Sequence, residues 1–109
     1  MKVLVLPEVR QYFEELARIL YTKDYFGYEE AALQYAEGLF NDIRTTLPLR
    51  HKRQAPPYFE RYGKPLFYAV FRKNKNTQWY AFFTIYKESG ETIYLVRFVG
   101  NNHVISHHL

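Results

Sequence analysis

Residues 66–99 hold three apolar, aromatic runs, Leu66–Lys73, Gln78–Tyr86 and Thr92–Val99. Two short polar sequences separate them, Asn74-Lys75-Asn76 and Glu88-Ser89-Gly90. Aromatic and β-branched side chains fit the pleated, half-buried surface of a strand. Asn, Ser and Gly tolerate the backbone angles that reverse a chain within a few residues. Links this short leave no room for a crossover, so neighbouring runs must pair antiparallel. The last third of the chain therefore predicts a three-stranded antiparallel meander.

The segments before it have other periods. Lys2–Leu6 is short and rich in Val and Leu, and reads as a first strand. Pro7 stops strand pairing and suits the first turn of a helix, where Glu8 meets the positive end of the dipole. Val9, Tyr12, Phe13, Leu16, Ile19 and Leu20 recur at three- and four-residue spacing, which predicts an amphipathic helix to about Tyr21. Thr22–Gly27 breaks the pattern as a turn. A second helix starts near Tyr28 and buries Ala32, Tyr35, Ala36, Leu39, Phe40, Ile43 and Leu47 before Pro48 ends it. The short link makes the pair an antiparallel hairpin. Arg50–Lys64 contains adjacent prolines and reads as an extended loop crossing the sheet edge. The expectation is an α+β fold of one domain over residues 1–109, with the helices on one face of the sheet and the other face partly open.

Alternation then assigns the strand side chains. Trp79, Ala81, Phe83 and Ile85 should face the helices, with Phe67, Ala69 and Phe71 beside them. Tyr94, Val96 and Phe98 complete that set, and Ile93, Leu95, Arg97 and Val99 point outward. The open face would carry Tyr68, Arg72, Tyr80, Tyr86 and Arg97. Rings beside guanidinium groups stack bases and hold phosphates.

Charge points the same way. Residues 1–49 hold five Lys/Arg and eight Asp/Glu, a balance of −3; residues 50–109 hold ten and three, a balance of +7. A basic half on a near-neutral scaffold suits an anionic partner, and also suits a solvated face that keeps the chain soluble. Aromatics make up 19% of residues, an unusual share that the strands concentrate. The absence of cysteine excludes disulfides, thiol catalysis and zinc–thiolate sites. No apolar run approaches the roughly 18 residues that a spanning helix needs, and Lys2–Leu6 runs into Pro7 and Glu8 too soon for a secretory leader. A cytoplasmic protein without a membrane partner is expected.

This order of elements, with the sequences Lys-Val-Leu-Val-Leu, Leu-Phe-Tyr-Ala-Val-Phe-Arg, Trp-Tyr-Ala-Phe-Phe-Thr and Tyr-Leu-Val-Arg-Phe-Val-Gly-Asn-Asn-His, resembles the RelE/ParE superfamily of toxins from type II toxin–antitoxin systems. The likeness covers nearly the whole chain and is strongest to the plasmid-stabilisation type. It implies one of two activities. RelE-like members are ribosome-dependent endoribonucleases that cut mRNA without a metal or other cofactor. ParE-like members inhibit DNA gyrase by binding. Both are neutralised by a cognate antitoxin. A non-toxic relative that only binds a partner is the third possibility.

For the nuclease branch, the resemblance implies catalytic roles for Arg97, His103 and Arg72. It implies phosphate or RNA contacts by Lys52, Arg53, Arg61 and Lys64, with Tyr68, Tyr80 and Tyr86 from the strand pattern. Gln78-Trp79-Tyr80 stands where many nuclease members carry Arg, a departure that favours the binding branch. His103 and His107 have the spacing of one helical turn, but no carboxylate or cysteine accompanies them. His107 and His108 read as a polar tail.

Overall fold

The computed structural model describes residues 1–22, 27–102 and 108. The fold is α+β. Strand β1 (Lys2–Val5) leads into helices α1 (Pro7–Thr22) and α2 (Glu29–Thr46). Strand β2 (Arg53–Gln54) follows, then a 3-10 segment over Pro57–Tyr62, and strands β3 (Phe67–Asn74), β4 (Thr77–Glu88) and β5 (Glu91–Asn101). The five strands form one mixed sheet in the order β1-β5-β4-β3-β2. The meander β3-β4-β5 is antiparallel, as its short turns require. The first strand pairs parallel to β5, with Lys2 opposite Ile93 and Val5 opposite Val96. The helical pair between β1 and the rest of the sheet makes that parallel return possible. The tip of the expected interhelical turn, residues 23–26, lies outside the described residues.

The helices form where the apolar spacing placed them. Pro7 opens α1, and the Leu6 carbonyl accepts the N–H groups of Val9 and Arg10, both at 3.0 Å. This satisfies two of the donors that a helix start leaves without partners. Glu29 and Glu30 in the first turn of α2 and Arg44 in its last complement the helix dipole. Val9, Phe13, Leu16, Ala17 and Leu20 of α1 pack with Ala32, Ala36, Leu39 and Ile43 of α2. Against them the sheet sets Ala69, Phe71, Trp79, Ala81, Phe83 and Val96, as alternation predicts. The indole N–H of Trp79 donates to the Tyr35 hydroxyl at 2.8 Å, which satisfies a polar group in this layer and ties α2 to β4.

Two expectations fail. The first concerns the last strand. Phe82 pairs with Phe98 but Phe83 with Val96, so Arg97 is an extra residue in a β-bulge. One inserted residue swaps the faces of everything after it. Val99, expected outward, joins the helix-side core, and Phe98, expected inward, packs on the opposite face.

The second concerns the open face. The linker does more than cross the sheet edge. It adds β2 antiparallel to β3, with Arg53 opposite Tyr68, and the Ala55 N–H donates to the Leu66 carbonyl at 2.8 Å. The 3-10 segment then lies over the sheet. Phe59 is 1% exposed, and its ring centroid lies 4.5 Å from that of Phe82. With Leu66, Tyr68, Tyr80 and Phe82 it forms a second, smaller core. Burying a Phe side chain contributes about 2 kcal/mol or more, which outweighs leaving those rings in water. Tyr68 and Tyr80 are therefore buried and offer no stacking surface.

Truncating the plug isolates this second core. Phe59→Ala should lower unfolding stability by about 3 kcal/mol, read as a shift in urea midpoint. The helix-side core should stay formed, so the near-ultraviolet signal of Trp79 should persist before the main transition. An unchanged midpoint would mean that the linker does not seal the face.

Candidate functional site

The bulge that reverses β5 also positions Arg97. An inserted residue lacks a ladder partner and is free to aim its side chain off the strand. The Arg97 Nε–H donates to Thr84 Oγ1 at 3.0 Å, which fixes the stem of the side chain on β4. Gly63 closes over this pair with φ of +140°, in the region that favours glycine. A Cβ there would stand 2.9 Å from Thr84 Cγ2 and 3.3 Å from Arg97 Cδ and Nε. The glycine thus allows the linker to lie directly on the arginine.

Beside Arg97 the sheet opens. Leu6 makes the last link of the N-terminal strand to β5, its N–H donating to the Val96 carbonyl at 3.1 Å. The chain then turns into α1, and the β5 edge beyond it borders a cleft of about 450 Å³. Glu8 and Tyr12 reach it from α1, Arg61 and Tyr62 from the linker, and Arg97 and Phe98 from β5. Arg61 donates to the Tyr58 carbonyl at 3.0 Å, and its guanidinium lies 4.8 Å from the Tyr62 ring. Tyr62 in turn stacks on Phe98 at 4.5 Å with 11° between planes. The side chains of Tyr62 and Tyr58 raise the Arg61 pKa, and Arg61 is exposed. Burial raises the pKa of the Tyr12 hydroxyl, with Tyr35 adding to the shift, so it stays neutral near pH 7. Among the described residues the ion pairs are Arg50–Asp42 and Lys64–Glu60. Arg61, Arg97 and Glu8 thus share a cleft without neutralising one another.

The other residues singled out by sequence fall elsewhere. Arg72 is exposed and opposite Gln78, whereas Arg97 bonds to Thr84 farther along the same strand. At about 3.3 Å of rise per residue the two positions lie roughly 20 Å apart, so Arg72 does not share the Arg97 site. It flanks a second basic region. Arg50, His51 and Arg53 line a cleft of about 300 Å³ over Tyr68 and Val70. Arg50 is anchored there by Asp42 at 3.0 Å and by the Phe71 ring at 4.3 Å. Lys52 lies 5.7 Å from the Phe67 ring. Lys64 pairs with Glu60 at 3.4 Å. Tyr68 and the mostly buried Tyr80, whose hydroxyl donates to Gln78 Oε1 at 3.2 Å, belong to the second core. Tyr86 alone of the three tyrosines stays exposed, at 39%. His103 and His107 lie outside the described residues. His108 stacks on Tyr58 at 3.7 Å.

Sequence reasoning missed Glu8, Tyr12 and Tyr62 as cleft residues. Glu8 read as a helix-dipole partner, Tyr12 as part of a core stripe and Tyr62 as linker. Only the bulge and the folded linker bring them to Arg97. Comparison with protein-family models, curated proteins and solved structures gives no match.

The glycine contact gives a direct test of how Arg97 is held. Gly63→Ala should cost about 1–3 kcal/mol, from a strained φ and the clash with Thr84. The loss would be read by thermal unfolding, with the Arg97 Nε resonance shifting in the folded variant. Unchanged stability and an unmoved resonance would show that the linker does not press on this arginine.

Proposed function

We propose that the chain is the toxin of a type II toxin–antitoxin system, a RelE-like, metal-independent mRNA endoribonuclease that acts on the ribosome. One observation carries this reading. Arg61 and Arg97, neither of them ion-paired among the described residues, line one cleft with Glu8, Tyr12 and Tyr62. Two guanidinium groups with donors fixed at a cleft wall suit the spread negative charge of a phosphorane.

In the reaction, the ribose 2′-oxygen attacks the adjacent phosphorus and loses its proton. The bond from phosphorus to the 5′-oxygen breaks, and that oxygen takes up a proton. The products are a 2′,3′-cyclic phosphate and a free 5′-hydroxyl. Arg97, held at Thr84, stabilises the equatorial oxygens, and Arg61 holds the phosphate from the linker side. His103 enters as proton carrier on the resemblance alone. Arg72 leaves the chemical step and joins Arg50, Lys52 and Arg53 as a basic strip. That strip suits the phosphate backbone and the acidic segment of a cognate antitoxin.

Gyrase inhibition by binding is the second reading. Burial of Tyr68 and Tyr80 favours it, because it removes two rings that RNA could stack on. Gln78 in place of a middle-strand arginine favours it too.

A cell-free translation reaction dosed with the purified chain decides between them. Mapped 5′ ends should reveal cuts that need ribosomes. Arg61→Ala, a change at an exposed side chain, and Arg97→Lys should each lower cutting by about 100-fold. Intact messages under arrest-inducing doses would overturn the nuclease reading, and a block of DNA supercoiling would then identify the binding one.

A further inference from the structure

The cleft contains a group that the phosphate chemistry does not use. Glu8 is exposed in the first turn of α1 and lines the same cavity as Arg61 and Arg97. Its carboxylate offers two acceptor oxygens side by side. Two arginines share its cavity, yet among the described residues none pairs with it. The cleft that the three residues line has a volume of about 450 Å³, within the range of about 300–1,000 Å³ that holds small-molecule ligands.

The stacking surface in this cleft is equally restricted. One contact of the Tyr62 ring is to Phe98 at 4.5 Å, nearly parallel, and another is to Arg61 at 4.8 Å. Tyr58 is similarly engaged, by His108 at 3.7 Å and Arg61 at 5.0 Å. The Arg61 guanidinium therefore lies against both rings, and the polar groups of the cleft are left to meet a ligand. A nucleotide with its phosphate at Arg97 would bring its base into the cavity that Glu8 lines from α1.

We propose that Glu8 determines specificity by reading the pairing edge of this base and selecting guanine. Guanine presents two adjacent donors, N1–H and the 2-amino group, which match the two oxygens of one carboxylate. Adenine and cytosine offer a single amino group beside a ring acceptor. Uracil offers one N–H between two carbonyls, which repel the carboxylate. The order guanine first and uracil last follows from this donor pattern. The assignment rests on the RNA-cleaving reading, because it takes the ligand at Arg97 to be a nucleotide phosphate.

The test measures binding apart from cleavage. The full chain is titrated with the 3′-monophosphates of guanosine, adenosine, cytidine and uridine, followed by amide chemical shifts. Guanosine 3′-monophosphate should bind about tenfold more tightly than the uridine nucleotide, as a bidentate base contact provides. Glu8→Gln should bring all four within about twofold of one another, and Arg61→Ala should weaken all four alike. Equal binding of the four nucleotides, or a preference that survives in Glu8→Gln, overturns the assignment and leaves the nuclease reading intact. No binding of any nucleotide also overturns it. In that case intact messages in the translation reaction overturn the nuclease reading as well, and cut messages preserve it.

Discussion

The structure depends on β4 being buried from both sides. Trp79, Ala81 and Phe83 point into the layer under the helices, and Tyr80 and Phe82 into the layer under the linker. A strand covered on both faces reads as an unbroken apolar run, and Trp-Tyr-Ala-Phe-Phe is such a run. Its neighbours inherit the same demand. Ala69 and Phe71 serve one layer from β3, while Tyr68 and Val70 serve the other. The chain meets the demand with two unequal covers, a helical hairpin on one side and a short 3-10 turn carrying Phe59 on the other.

Burial on both sides also explains why the cleft sits at a margin. The interior of the sheet has no room for a guanidinium in water. A cation inside a strand must leave the pleat, and the bulge at Arg97 lets it do so. The same insertion sends Phe98 beneath Tyr62 and Val99 toward the helices, so one irregularity builds two walls of the cleft. Glycine at position 63 completes the arrangement from above, since any side chain there would occupy the space of Thr84 and Arg97.

Much of the architecture is legible in the residues. The helices follow from the spacing of Phe13, Leu16 and Leu20 and of Ala32, Ala36 and Leu39, and the meander follows from its turns. The face assignments of β3 and β4 hold from end to end. What fails is what alternation cannot carry. In Tyr-Leu-Val-Arg-Phe-Val both sets are apolar, so the pattern contains no mark of the inserted residue. The linker is opaque for a related reason. Its prolines exclude a long helix but do not distinguish a loop beside the sheet from one lying on it. Phe59 was the available signal, a large ring in a basic segment with nothing local to bury it. The cleft was legible only in part. Arg97 and Arg61 stand out by charge, whereas Glu8 and Tyr12 have ordinary roles in their own helix and gain another from a strand 90 or so residues later.

That last separation has a kinetic side. The cleft joins residues from the first turns of α1 to residues at the far end of β5. The parallel pairing of Lys2 with Ile93 closes nearly the whole chain as a loop, and such contacts form late. During synthesis the helical hairpin is complete long before β5 exists. A nascent chain therefore carries Glu8 and Tyr12 without their partners until the final strand has emerged. The cleft therefore assembles only once residues 97–99 can join the N-terminal strand and helix.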